Sequence, residues 1–160
     1  MKIVDQHLIE ELRQKAGASE RHRTNFNLHE TLDDPVQRFL NVMEPDSYVQ
    51  PHRHPDAERW ELFVAVAGSA LAFTFDDEGV ITQRIKISAS GPQYAIEIPS
   101  KTWHTIVALE SGTVLFEFKQ GPYTKVTDKD FASWAPKEGD EECQLFLQKL
   151  GNSEVKDSVK

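Results

Sequence analysis

Apolar residues recur with two different periods, and the change of period divides the chain. In the first stretch Val4, Leu8, Ile9 and Leu12 fall on one face of a 3.6-residue repeat, which predicts a helix over residues 4–16. Asp5 stands where an N-cap is wanted, and Gly17 where a helix would stop. Residues 21–29, RHRTNFNLH, have no helical period and read as loop or irregular strand. Asp33-Asp34-Pro35 predicts a turn or a helix start. From Val36 onward short apolar runs end at turn residues. Phe39 to Met43 stops at Glu44-Pro45-Asp46, Tyr48-Val49 runs into Pro51, and Trp60 to Ala67 stops at Gly68. Ala70 to Phe75 stops at Asp76-Asp77-Glu78-Gly79, and Val80 to Ile87 follows. Ala95 to Ile98 ends at Pro99, His104 to Leu109 at Glu110-Ser111-Gly112, and Thr113 to Lys119 at Gly121-Pro122. About eight short strands at such spacing predict a sandwich or barrel with its core over residues 36–120. Phe63, Phe73, Phe75, Phe116 and Phe118 are expected in that core. Beyond Tyr123 the pattern loosens. Asp128 to Ala132 suits one helical turn, Glu142 to Leu150 suits helix or strand, and residues 151–160, GNSEVKDSVK, are expected to fray. We expect one domain over residues 1–150 with 151–160 as a polar tail.

Charge narrows the partners. Eighteen Lys and Arg against 26 Asp and Glu leave a net charge of −8 in 160 residues, so a basic nucleic-acid footprint is absent. The single cysteine, Cys143, excludes an internal disulfide and a Cys-rich zinc module, and in its irregular context is expected to be inert. The N-terminal residues lack the apolar stretch of a signal peptide, and the longest apolar run, Leu62 to Ala67, is far too short for a membrane span. A soluble cytoplasmic domain is expected, without nucleic-acid or membrane partners.

The candidate chemistry lies in the histidines. His52 and His54 flank Arg53 at the end of a strand, where residues two apart share a face, so both imidazoles would point into a barrel and Arg53 away. Glu61 enters an otherwise apolar strand on the face of Phe63, Ala65 and Ala67, and a carboxylate there needs a partner. His104 opens another strand. Three imidazoles and a carboxylate suit one divalent Fe, Mn, Ni, Zn or Co ion. In an extended segment the odd residues Arg21, Arg23, Asn25, Asn27 and His29 would form a row able to grip an anion or sugar hydroxyls. Arg38 is a further substrate-binding candidate, and His29 and Tyr123 are candidate catalytic groups for proton transfer. Trp103 beside His104 is expected to pack, and Lys101 to be a solvated turn residue.

His52-x-His54 followed by Glu61-x6-Gly68, and Pro99-x-Lys101-x-x-His104, resemble the two motifs of the cupin superfamily. Two departures stand out. The gap from His54 to Glu61 is long, with Glu58 at the usual spacing, yet only Glu61 places a glycine seven residues later. We therefore take Glu61 as the ligand and Glu58 as its rival. The second motif also normally carries glycine where this chain has Lys101. Arg23-x-Asn25-x-Asn27-x-His29, Asp34-Pro-Val-Gln-Arg38, Trp60-Glu-Leu-Phe63, Gly121-Pro-Tyr123 and Asp130-Phe-Ala-x-Trp-Ala-Pro136 further resemble the WbuC-type cupin fold metalloproteins, over roughly residues 5–140. These are bacterial proteins often associated with surface-polysaccharide gene clusters. The resemblance implies a mainly β, cupin-type double-stranded β-helix (jelly-roll) barrel with an N-terminal helix, a bound metal, a homodimer and a small polar or carbohydrate ligand. A metalloenzyme of this kind would isomerise, epimerise or eliminate, or act as a dioxygenase with Fe(II). The alternatives are a regulatory cupin that binds metal and ligand without turnover, and a metal-free epimerase-like cupin.

Overall fold

A computed structural model describes residues 1–55, 58–123 and 129–160. The chain runs α1 (Gln6–Ala18), β1 (Arg23–Asn27), β2 (Val36–Met43), β3 (His52–Arg53), β4 (Glu61–Ala67), β5 (Ser69–Phe75), β6 (Ile81–Ser88), β7 (Ala95–Ile98), β8 (Trp103–Ala108), β9 (Thr113–Gln120), β10 (Asp130–Phe131) and α2 (Cys143–Asn152). Two five-stranded antiparallel sheets face each other, in the orders β1-β2-β9-β4-β7 and β10-β3-β8-β5-β6. This is the jelly-roll barrel with an N-terminal helix that the cupin resemblance implied, where the strand pattern alone predicted a sandwich or barrel.

The period-two alternation of the strands decides what lies between the sheets. At one end Met43, Phe63, Ala65, Ala72, Ile106 and Leu115 pack into an apolar plug. At the other end the same inward faces carry Asn41, Glu61, His104 and Glu117, which line a cavity. One barrel thus has a dry half and a polar half, and the switch falls within single strands. Phe63 on β4 is followed by apolar residues in one direction and preceded by Glu61 in the other. The turn after β4 needs Gly68, whose φ is +70° and whose Cβ, if present, would lie 2.7 Å from Thr113 Oγ1.

Two layers cover the outside. Asp5 caps α1 by accepting from the Leu8 N–H at 2.9 Å. The helix then lays Leu12 and Ala16 on Leu40, Val42 and Val114. It runs through Gly17, where a stop was expected, and is capped at Ser19. The outer face of β5 meets α2, where Phe146, Leu147 and Leu150 pack on Leu71, Phe73 and Phe75. Strand β5 is therefore buried on both faces.

Several expectations are corrected here. Phe116 does not face the barrel interior. It packs against the α1 layer and lies beside Phe118, with ring centroids 4.3 Å apart and the rings tilted by 34°. Asp128 lies outside the described residues, and Asp130–Phe131 is a strand rather than a helical turn. The polar tail is docked. Ile81 N–H donates to Asp157 O at 2.9 Å, Val80 bridges Ser158, and Val159 is buried beside α2. Cys143 opens α2, and burial raises its thiol pKa. None of the described helices is long and apolar enough to cross a membrane.

Candidate metal centre

Four side chains converge where the two sheets meet. His52 (β3) pairs in register with His104 (β8), so one sheet brings both imidazoles together. His54 follows β3, and Glu61 opens β4 in the facing sheet. One donor atom from each of His52, His54, Glu61 and His104 lies within 4.8 Å of the others, and all four residues are buried. Of the two rival carboxylates, Glu61 is in this cluster. Glu58 is exposed and accepts from Gln120 Nε2 at 3.3 Å.

The proton positions fit a cation. Carbonyl oxygens only accept, so His52 Nδ1–H donates to Gln50 O (2.9 Å) and His104 Nδ1–H to Thr102 O (2.8 Å). In the neutral ring Nε2 then offers its lone pair inward, as a metal ligand must. His104 Nε2 sits 2.7 Å from Glu61 Oε2, and His54 Nε2 sits 2.9 Å from Glu61 Oε1. Two electron-rich atoms that close need a proton or a metal ion between them. Burial, with Lys129 and His104 adding to it, holds the His52 imidazole well below its ordinary pKa, in the lone-pair form. Burial alone would raise the Glu61 pKa, but the contacts with His104 and His54 outweigh it and keep the carboxyl far below the usual range. A set of three imidazoles and one carboxylate suits a borderline divalent metal.

The second cupin-like motif reaches the cluster through a left-handed lysine. Lys101 has φ 62°, and its N–H donates to His54 O at 2.9 Å. The turn that precedes His104 is thereby tied to the loop that carries His54.

Three of the four, His52, Glu61 and His104, form the floor of a cavity of about 430 Å³, and His54 is not among its lining residues. All five residues of the predicted row, Arg21, Arg23, Asn25, Asn27 and His29, line it, as does Tyr123. Only Arg23 to Asn27 are strand, because His22 has φ 51° and breaks the register. Arg21 and Arg23 do not stand open for an anion. Both guanidinium groups bond Glu138, and Arg23 also donates to Tyr48 O at 2.7 Å. Asn25 Nδ2 donates to Asn41 Oδ1 at 2.7 Å. Arg38 is corrected: on β2 it faces away from the lining residues Gln37, Phe39 and Asn41 and pairs with Asp34 at 3.0 Å. Arg53 points away from the histidines, as expected, to Asp130 and Asp77, and lies over Trp103 at 4.4 Å.

Sequence reading missed Asn41, Glu117, Lys119 and Lys129, which line the cavity as well. Asn41 Nδ2 donates to Glu117 Oε2. Burial, reinforced by the facing Glu61, pushes the Glu117 carboxyl up to about 8 against the pull of Lys119 and Lys129. Parity was the available signal. In Val114 to Gln120, Glu117 and Lys119 share a face with Leu115, and Phe116 and Phe118 take the other.

Residues 4–87 match the model of a family described as a domain of unknown function, DUF6016. No functionally curated protein matches the sequence. Among solved structures, the capsular polysaccharide assembling protein CapF from Staphylococcus aureus is similar, with 19% identity, a TM-score of 0.59, and coverage of 71% of this chain and 30% of that one. This chain therefore spans under a third of CapF. A cupin superfamily protein from Desulfitobacterium hafniense is similar at 17% identity and TM-score 0.50, with coverage of 68% of this chain and 86% of that one. A variant of Bacillus subtilis oxalate decarboxylase OxdC aligns at 17% identity and TM-score 0.52, with coverage of 68% of this chain and 27% of that one. At such identities the likeness shows the cupin fold.

Proposed function

Because the chain belongs to the DUF6016 family, whose description supplies no activity, we propose from the site itself that it is a metal-binding cupin whose cavity takes a small polar ligand of carbohydrate type. The carrying observation is the buried convergence of His52, His54, Glu61 and His104, three of which, His52, Glu61 and His104, line a cavity together with amides, a further imidazole, a phenol and ammonium groups. We assign these four residues as the ligands of one divalent transition metal ion. When bound, such an ion supplies Lewis acidity for a ligand oxygen, the chemistry common to isomerases, epimerases and lyases.

The remaining assignments concern the chain's own groups. Asn25 and Asn27 contact ligand hydroxyls at the mouth. His29 and Tyr123 lie on the wall and hydrogen-bond or protonate the ligand there. Arg21 and Arg23 shape the entrance through Glu138. Two points support a carbohydrate ligand and a place in surface-polysaccharide metabolism. One is the row of hydrogen-bonding side chains. The other is the resemblance to WbuC-type cupins, to which the likeness to CapF, a capsular polysaccharide assembling protein, adds. We further assign the chain as a cytoplasmic homodimer built on one cupin domain, with the docked residues 151–160 as part of it.

The test is metal content by mass spectrometry on chelator-free protein, beside His52→Ala and His104→Ala. Near-stoichiometric metal that both variants lose is the expected result. Metal content unchanged in the variants, or no metal after anaerobic reconstitution, overturns the reading.

A further inference from the structure

Two guanidinium groups at one end of the cavity close on a single carboxylate. Arg21 and Arg23 line the cavity, and Glu138, from the loop between β10 and α2, reaches them from outside the lining. Arg21 grips Glu138 side-on, with Nε donating to Oε1 at 2.7 Å and Nη2 to Oε2 at 3.3 Å. Arg23 Nη2 donates to the same Oε1. Both guanidinium groups are thus within hydrogen-bond reach of one oxyanion, and the fork is the one by which arginine recognises a carboxylate. One negative charge answers two positive ones, in a protein of net charge −8. Surplus positive charge in a cleft draws anions from solution.

Three features make Glu138 a replaceable partner. Arg23 is held without it, because its Nη1 donates to Tyr48 O at 2.7 Å and to Ser47 Oγ at 3.3 Å. The turn that carries Glu138 closes on itself. Lys137 N–H donates to Asp140 Oδ2 at 2.8 Å, Asp140 N–H to Lys137 O at 3.0 Å and Cys143 N–H to Asp140 O at 3.2 Å. Swinging the Glu138 side chain aside breaks none of these bonds. That side chain is also 37% exposed, and no atom lies within 4 Å of where a Cβ on the adjacent Gly139 would stand, so it has solvent to move into. The strand registers set this end of the cavity apart from the metal cluster. Arg23 pairs with Met43, whereas Glu61 lies level, through the backbone of residue 119, with Gln37. Six residues of β2 separate the two levels, about 20 Å at the rise of a strand.

We propose that Arg21 and Arg23 form a carboxylate subsite at the mouth of the cavity, and that Glu138 is its resident stand-in, displaced by the carboxylate of the ligand. This inference rests on the proposed function for the role of the cavity and deepens it by giving the ligand a carboxylate and the site an internal competitor. A tethered group competes at an effective concentration in the millimolar range. Small free anions are therefore turned away, and a carboxylate that also engages the rest of the cavity displaces Glu138.

The test is calorimetric titration of the wild type and Glu138→Gln with glucuronate, and with glucose as a neutral probe of the same ring, on metal-loaded and on chelator-treated protein. Glu138→Gln is expected to bind glucuronate at least tenfold more tightly than the wild type does, with its response to glucose unchanged. The gain is expected to shrink at high salt and to be lost when Arg21→Gln is added, a replacement the fold tolerates at a side chain 62% exposed. Glu138→Ala serves if Glu138→Gln does not fold. A variant that binds glucuronate no more tightly than the wild type overturns the subsite. So does a gain that survives Arg21→Gln, or one seen only with metal bound, since the carboxylate would then sit at the metal. Failure of the metal reading is separately visible, as protein that holds no metal while the gain for glucuronate remains.

Discussion

Lys101 offers a direct reading of the strain beside the cluster. Its φ of 62° is left-handed, where the related motif carries glycine. Holding a residue with a Cβ there costs about 1–2 kcal/mol, and glycine removes that cost. Glycine also loosens the unfolded chain, which offsets about 0.4–1 kcal/mol. The balance makes Lys101→Gly more stable by about 0.5–1 kcal/mol. For a chain of this size, that corresponds to a rise of about 1–4 °C in Tm. Lys101→Ala is the control. It removes the ammonium group and keeps the Cβ, so its stability should stay within about 0.5 kcal/mol of the wild type. Thermal and urea unfolding of the three proteins, each at equal metal occupancy, supply the comparison. The backbone bond from Lys101 N–H to His54 O is kept in both variants, so metal stoichiometry should not change. A glycine variant no more stable than the alanine variant would refute the argument.

Glu61→Gln should weaken metal affinity at least tenfold, about 1.4 kcal/mol, whereas Glu58→Gln leaves it unchanged; competition with a chromogenic chelator reads both. Glu117 is held protonated by the fold, its pKa raised from 4.5 to about 8. Its contribution to stability is thus full below 4.5 and lost as pH rises through about 8. Urea midpoints of chelator-treated protein should fall between pH 6 and 9, and Glu117→Gln should flatten that slope. Tyr48 is buried, which pushes its hydroxyl pKa up, and donates to Pro136 O at 2.7 Å. Tyr48→Phe leaves that carbonyl unmatched and should cost about 1–2 kcal/mol in denaturant titration.

The barrel and its cluster were legible because they rest on short-range rules. Turn residues delimit strands, and His52 and His54 share a face by strand parity alone. Parity also held for Glu61, which sits inward with Phe63 and Ala65, as its strand predicted. What escaped depends on which face of a strand is inward, and single strands do not say. Arg38 and Gln37 are neighbours, and only the register of β2 against β9 sends Gln37 inward and Arg38 out. The phenylalanines of β9 concealed its inward charges, because a helix covers the opposite face of that sheet and makes Phe116 a core residue of a different layer. The docked tail was illegible for a similar reason. Val159 is a lone apolar residue in a polar run, and it finds its place only against α2 and β6.

The cluster draws its donors from both sheets, His52 and His104 from one and Glu61 from the other. An ion seated there is then a cross-link as well as a reagent. It ties β4 to a strand of only two residues, His52–Arg53, which has little ladder of its own. Occupancy should therefore be recorded in amide hydrogen exchange across residues 50–54 and 61–63, where protection would pass from local opening toward the global limit as metal is added. In this barrel three of the four side chains at the seam of the fold, His52, Glu61 and His104, are also the floor of the cavity.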